Sequence, residues 1–211
     1  MLLIINIVVF AVYWLSANGI LFSQRIAAVI EDRFTMFPLY VVHGQRLYTL
    51  VTSMFMHASW LHLLGNMLYL YIFGDNVEDV FGHLGYLVFY IFCGLAAAFT
   101  HILSIYWGLT FPADLSVGVV GASGAISGVL GAYFVLYPKA KILTLVTYFI
   151  LPIPAVILLG FWFLMQWLYG FFDVYSGVAY WAHIGGFIAG MILALAFGLQ
   201  RKKMRETRLR F

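Results

Sequence analysis

Apolar stretches long enough to cross a lipid bilayer recur along the whole chain, with little sequence between them. A helix needs about 20 mostly apolar residues to cross the hydrocarbon core. Charged residues, glycines and prolines bound the stretches, and the predicted crossings lie near residues 3–22, 58–73, 85–106, 118–137, 153–169 and 180–199. Because 64% of the residues are hydrophobic and only 9% are charged, the composition is that of a membrane protein. The sequence predicts an all-α polytopic fold, with residues 1–211 as a single membrane domain of six transmembrane helices.

The segments between the predicted crossings suit the membrane surface. Residues 23–57 combine charged and aromatic residues, so we expect a folded interfacial loop there. Residues 142–151 are apolar but too short to cross the bilayer, and Pro152 and Pro154 follow them. We therefore expect an interfacial segment or a lead-in to the fifth crossing. Cys93 is the only cysteine, so the chain forms no internal disulfide and packing is the expected role of this residue.

Most of the positive charge follows the last predicted crossing, in the tail of residues 200–211. Its cations are Arg201, Lys202, Lys203, Arg205, Arg208 and Arg210. Together with Lys139 and Lys141, they place eight of the eleven Lys and Arg residues inside if both termini are cytoplasmic, which the positive-inside rule favours. We therefore expect a basic cytoplasmic tail that anchors to the membrane surface, and no nucleic-acid partner.

Four polar side chains enter the predicted bundle from the same side. Ser123 and His183 each lie a few residues below the outer start of a crossing, roughly 5 Å deep at ~1.5 Å per residue. His62 and Asn66 lie in the second crossing, which also runs inward from the outer face. Hydrogen bonding between helices is one explanation for such residues. Because polar groups inside a bilayer are costly, their convergence at one depth favours a functional site.

These residue types are suited to acyl transfer. A serine hydroxyl becomes a nucleophile when an adjacent imidazole accepts its proton, and Ser123 and His183 are candidates for those roles. All eight acidic residues lie in predicted loops or in the tail, so a dyad is expected rather than a triad. His62 and Asn66 are four residues apart on one helix face, from which both side chains can reach a developing oxyanion. His57 is turned about 140° away from His62 around a helix, so we expect it to be a structural group at the helix entrance.

Two stripes of small residues predict how the serine and the histidine meet. They consist of Gly124, Gly128 and Ala132 in the fourth crossing and of Ala182, Gly186 and Gly190 in the sixth. Small residues four apart allow two helix backbones to approach closely. Packing of these stripes would bring Ser123 within hydrogen-bonding distance of His183.

Taken together, the motifs resemble the rhomboid family of intramembrane serine proteases. They are Gly-Ala-Ser-Gly at 121–124, Ala-His-Ile-Gly-Gly-Phe-Ile-Ala-Gly at 182–190 and the spacing His57-x4-His62-x3-Asn66. The resemblance covers about residues 45 to 199 and implies a six-helix rhomboid core. It implies that Ser123 is the nucleophile and His183 the general base. It also implies that His62, Asn66 and the backbone N–H of Ser123 stabilise the oxyanion.

Two positions depart from the family pattern. The first loop carries Gln45-Arg46 where the family often has Trp-Arg. Ser127 stands where some rhomboids place a tyrosine against the base. Ser127 is also a rival nucleophile on the residues alone, but it lies about 6 Å deeper than Ser123, so Ser123 is favoured.

Aromatic residues of the fifth crossing and of the loop after it resemble the family's lateral gate and cap. They are Phe161, Trp162, Phe163, Trp167, Phe171, Phe172 and Tyr175. Contact with lipid is the other explanation for such aromatic residues.

The resemblance implies an intramembrane serine endopeptidase that cleaves single-span membrane proteins within their transmembrane segments, near the outer leaflet. It implies neither a cofactor nor a metal ion, and the sequence leaves the oligomeric state open. The compact length without an evident transit peptide favours a prokaryotic cytoplasmic membrane. The alternative is a non-proteolytic rhomboid-like protein that binds membrane clients. A proton-coupled transporter is disfavoured because the crossings lack carboxylates, and a metalloenzyme because His-Glu-x-x-His is absent.

Overall fold

The computed structural model describes residues 1–109, 114–172 and 177–208. In chain order its helices are α1 (Leu2–Ala17), α2 (Gln24–Phe34), α3 (Pro38–Val42), α4 (Thr49–Thr52), α5 (Trp60–Phe81), α6 (His83–Tyr106), α7 (Ser123–Leu136), α8 (Ala155–Phe172), α9 (Tyr180–Leu193) and α10 (Leu199–Arg208). A 3₁₀ turn (Ser53–Phe55) precedes α5, and a π-helical turn (Ala194–Gly198) joins α9 to α10. The expected cap residue Tyr175 and the tail residue Arg210 lie outside the described residues.

Three helices within the described ranges are long and apolar enough to cross a bilayer. These are His83–Tyr106, Ala155–Phe172 and the continuous helical stretch Tyr180–Arg205. Leu2–Ala17 and Ser123–Leu136 are apolar but shorter. α5 has the length, with 22 residues, but carries polar residues at its start and acidic residues near its end. Six crossings therefore remain a prediction.

Several helix ends differ from the bounds of the predicted crossings, and α5, for example, continues to Phe81 rather than ending near residue 73. α1 ends at Ala17 rather than near residue 22, and α8 begins at Ala155 because residues 153 and 154 belong to a strand. α7 begins only at Ser123 rather than near residue 118. Val119 is extended and pairs with Met36 ahead of that helix.

Residues 142–151 form most of a β-hairpin, which the all-α prediction did not include. Strand β1 (Lys141–Val146) pairs in antiparallel register with β2 (Phe149–Pro154), and Val146 faces Phe149 next to the turn. Pro152 and Pro154 exclude a helix over this segment and are tolerated in an edge strand. Over the described residues the fold is thus mostly helical, with one two-stranded sheet.

The central helix of the bundle is α7. It packs against α5, α6, α8 and α9, and it is buried along most of its length. A helix that is apolar on all sides fits such a position. Because Ser123 is its first residue, the core of the bundle holds this serine in place.

The two stripes of small residues pack against each other, and this prediction is confirmed. A methyl group added to Gly186 would overlap the carbonyl oxygen of Gly124, and one added to Gly190 would overlap that of Gly128. The α7 and α9 backbones are therefore in direct contact, which is possible only with glycine on α9.

The segment 23–57 is folded, with α2, α3, α4 and the 3₁₀ turn along its length, and its place at the membrane surface stays a prediction. Arg46 donates from Nη1 to the carbonyl oxygen of Asp32 at 3.0 Å and to its Oδ1 at 3.2 Å. Its guanidinium also lies 4.3 Å from the ring centroid of Tyr40. These contacts hold the loop together without the tryptophan of the family pattern.

Three cations of the tail bind the protein itself. Arg201 donates to the carbonyl oxygen of Phe81 at 3.0 Å, and Lys202 donates to that of Leu136. Arg205 pairs with Asp79 at 3.0 Å. Cations at helix C-termini satisfy free carbonyl groups and interact favourably with the negative end of the helix dipole. Part of the tail therefore caps α5 and α7, a role that the predicted membrane anchor did not include.

Candidate active site

The site centres on a hydrogen bond between Ser123 and His183. Ser123 opens α7, and His183 lies in the first turns of α9, where the contact between the two backbones aligns them. The distance from Ser123 Oγ to His183 Nε2 is 2.8 Å. Both side chains are half-buried, so they remain reachable. The geometry is that of a hydroxyl with a base in position to accept its proton.

The other nitrogen of this imidazole contacts Gln166, a residue that the sequence analysis missed. His183 Nδ1 lies 2.8 Å from Gln166 Oε1, and Gln166 Nε2 donates to the carbonyl oxygen of Trp162 at 3.3 Å. Gln166 is buried on α8. The signal was present in the sequence, because an amide side chain interrupts the otherwise apolar stretch 153–169.

The ring of His183 also lies between aromatic neighbours. Its centroid is 5.9 Å from that of Trp162 and 6.4 Å from that of Tyr180, the latter edge-on. Ser127 is buried, and its hydroxyl donates to the carbonyl oxygen of Ser123 at 2.6 Å. The aromatic contacts to the base thus come from α8 and α9, and Ser127 is bonded within its own helix.

His62 approaches the serine across Gly121. A Cβ atom built on Gly121 would lie 2.8 Å from both Cε1 and Nε2 of His62 and 3.7 Å from Ser123 Oγ. The glycine has φ +129°, a conformation that L side chains rarely adopt, and its N–H donates to the carbonyl oxygen of Ser53 at 2.9 Å. The space between the imidazole and the serine hydroxyl exists because residue 121 has no side chain.

Asn66 lies one turn after His62 on α5. Its side chain is buried, and within the described residues its Nδ2 has no hydrogen-bond partner. Buried amide donors are normally satisfied. Among the residues that the structure describes, Asn66 therefore keeps a donor without a partner on the same helix face as His62.

His57 lies ahead of α5 and packs against His62. Their ring centroids are 5.2 Å apart with the planes at 70°, and Phe10 contacts the His57 ring edge-on at 6.4 Å. The expectation that His57 is turned away from His62 was wrong, because His57 precedes α5 and the angle around a helix does not apply to it. Among the described residues no group of three or more His, Cys, Asp or Glu side chains is arranged to hold a metal ion.

Aromatic contacts tie the loop after α6 to α8 and α9. Trp181 donates from Nε1 to the carbonyl oxygens of Leu109 and Gly170, both at 3.2 Å. Its ring also meets those of Trp167 and Phe171, with centroids at 5.4 and 5.0 Å. Phe161, one of the expected gate residues, is exposed on α8.

Comparison with known proteins gives a consistent family assignment. The Rhomboid domain model matches residues 44–200. Rhomboid protein 1, mitochondrial, of Saccharomyces cerevisiae is 29% identical over 172 residues, 76% of this chain and 45% of that protein. Rhomboid-like protein 11, chloroplastic, of Arabidopsis thaliana is 35% identical over 119 residues, 53% of this chain and 40% of that protein. Rhomboid protease AarA of Providencia stuartii is 31% identical over 175 residues, 74% of this chain and 58% of that protein. The chain spans about half the length of the curated relatives it matches.

Proposed function

The chain belongs to the rhomboid family, and on that basis we propose that it is an intramembrane serine endopeptidase that cleaves transmembrane segments of single-span membrane proteins. The observation that carries the proposal is the 2.8 Å contact between Ser123 Oγ and His183 Nε2. Similarity to a rhomboid protease supports it. With both termini in the cytoplasm and six crossings, the serine lies near the outer leaflet.

Gln166 determines which nitrogen of His183 carries the proton. A carbonyl oxygen only accepts hydrogen bonds, so the atom of Gln166 that faces the Trp162 carbonyl is the amide nitrogen. The amide oxygen then faces His183, and Nδ1 must be the protonated nitrogen. Nε2 is left with its lone pair toward the Ser123 hydroxyl. Gln166 thus fills the place that a carboxylate takes in a catalytic triad, without a charge in the membrane.

The reaction then follows from these contacts. Ser123 gives its proton to His183 Nε2 as Oγ attacks the scissile carbonyl, and His183 returns that proton to the leaving amine. Water next attacks the acyl-enzyme, and His183 again accepts and returns a proton, which frees the new carboxyl end and restores Ser123.

The negative charge that develops on the carbonyl oxygen needs donors. The N–H of Ser123 is among the first in α7, which have no intrahelical acceptor. His62 lies beside Gly121, and Asn66 offers a buried amide. Donors held in place before the reaction stabilise the transition state without having to reorganise.

We expect Gln166→Leu to lower kcat about tenfold, because a net hydrogen bond is worth about 1–1.5 kcal/mol and about 1.4 kcal/mol is a factor of ten in rate. KM should stay unchanged, since Gln166 is placed behind the base and away from the substrate. Gln166→Glu keeps an acceptor for Nδ1–H and should retain more activity than the leucine variant. Equal kcat in all three folded proteins would remove Gln166 from the mechanism.

The proposed function is tested by cleavage of a model single-span substrate in liposomes, together with labelling by a fluorophosphonate. A protease gives a defined cleavage product, and reaction with the fluorophosphonate abolishes its formation. A folded wild-type protein that takes no label would instead be the client-binding, non-proteolytic alternative. Cleavage that persists in fully labelled protein would place the reaction at another residue.

A further inference from the structure

We propose that the β1–β2 hairpin docks into a negatively charged lipid surface at the end of the bundle opposite Ser123. The hairpin follows the C-terminal end of α7, while Ser123 begins that helix. The 14 residues of α7 separate the two ends by about 21 Å. With the proposed six crossings the hairpin lies at the other membrane face, and this placement does not depend on proteolysis.

The hairpin presents apolar side chains that nothing in the described residues covers. Tyr148 is 89% exposed, Leu143 is 74% exposed and Phe149 is 71% exposed, and Leu145 and Ile150 are also largely exposed. No charged residue lies between residues 142 and 154. A two-stranded hairpin is at best marginally stable in water, and apolar exposure costs about 25 cal/mol per Å². Contact with lipid acyl chains would remove this cost by taking the apolar surface out of water.

The outer edge of β2 is unusually poor in hydrogen-bond donors. Pro154 faces Lys141 and Pro152 faces Leu143 in the ladder. Because proline has no N–H, these must be the positions whose amide nitrogens point away from the partner strand. Two outward donors that would need water or another strand are thus absent. This edge therefore resists addition of a further strand.

Positive charge lies near the base of the hairpin. Lys139 and Lys141 lie at its start, and both are exposed. Lys202 bonds to the Leu136 carbonyl, which brings the basic tail helix to the same end of α7, where Lys203 is also exposed. An apolar tip with cations behind it matches acyl chains below anionic headgroups.

The test uses a nitroxide attached to Tyr148→Cys and, separately, to Leu145→Cys. Both positions are exposed, so the fold should tolerate them. Cys93 is buried and is left in place, with wild-type protein reporting its background. Ser116→Cys, on an exposed loop ahead of α7, is the control site. Each protein is reconstituted in phosphatidylcholine vesicles with and without phosphatidylglycerol.

In the proposed arrangement, the labels at 145 and 148 collide more with O₂ and less with a water-soluble nickel complex than the label at 116. Phosphatidylglycerol should increase that difference. Water-like collision rates at both hairpin sites would overturn the proposal, and a lack of response to phosphatidylglycerol would overturn its electrostatic part. Spin–spin broadening between labels would mean that a second copy covers the hairpin, and would also overturn it.

Discussion

Ser123→Ala is expected to abolish cleavage of a membrane substrate, while Ser127→Ala retains appreciable activity. The two serines lie one turn apart on α7, but only Ser123 contacts His183. The Ser127 hydroxyl instead donates to the carbonyl oxygen of Ser123. Loss of the nucleophile lowers the kcat of a serine protease by about 10⁶-fold, whereas loss of a hydrogen bond within a helix costs about 1 kcal/mol of stability.

The measurement is product formation in liposomes by purified protein, with fluorophosphonate labelling as a second readout. Ser127→Ala is the matched control, because it also removes a serine hydroxyl from α7, one turn away from Ser123. His183→Ala should lose activity as Ser123→Ala does, since the two residues act as a unit. An active, folded Ser123→Ala protein would show that the nucleophile lies elsewhere.

The parts of the site that could be predicted from the sequence are those with a local signal. Polar residues inside apolar stretches are conspicuous, which pointed to Ser123, His183, His62 and Asn66. Small residues four apart predicted the contact between α7 and α9. These patterns predicted the pairing of Ser123 with His183 because helix geometry links spacing along the chain to one face.

The parts that were missed depend on packing between elements. Gln166 gave the same kind of signal, but its role depends on how α8 lies against α9 and on the direction of the Trp162 carbonyl. The hairpin was missed because a segment that is apolar on both faces has no period to separate a strand from an interfacial stretch. The start of α7 was misplaced because the chain before it is extended and paired with Met36.

Gly121→Ala is expected to lower kcat by about 10²–10³-fold, the loss typical of a damaged oxyanion site. Its methyl group would lie 2.8 Å from the His62 ring and 3.7 Å from Ser123 Oγ, so it would occupy space between the serine and a proposed oxyanion donor. Gly121 also has φ +129°, where alanine is strained. Activity could therefore fall either because the site is obstructed or because the protein is less stable.

Gly44→Ala separates these two causes. Gly44 also has a positive φ, +71°, but a Cβ built on it meets nothing within 4 Å. Both variants should lower the melting temperature, since both place alanine at positive φ, and only Gly121→Ala should lose kcat. Thermal unfolding and cleavage are measured on the same preparations, so that kcat refers to folded protein. If folded Gly121→Ala cleaves at the wild-type rate, the space between His62 and Ser123 is not where the oxyanion forms, and His62 must be assigned another role.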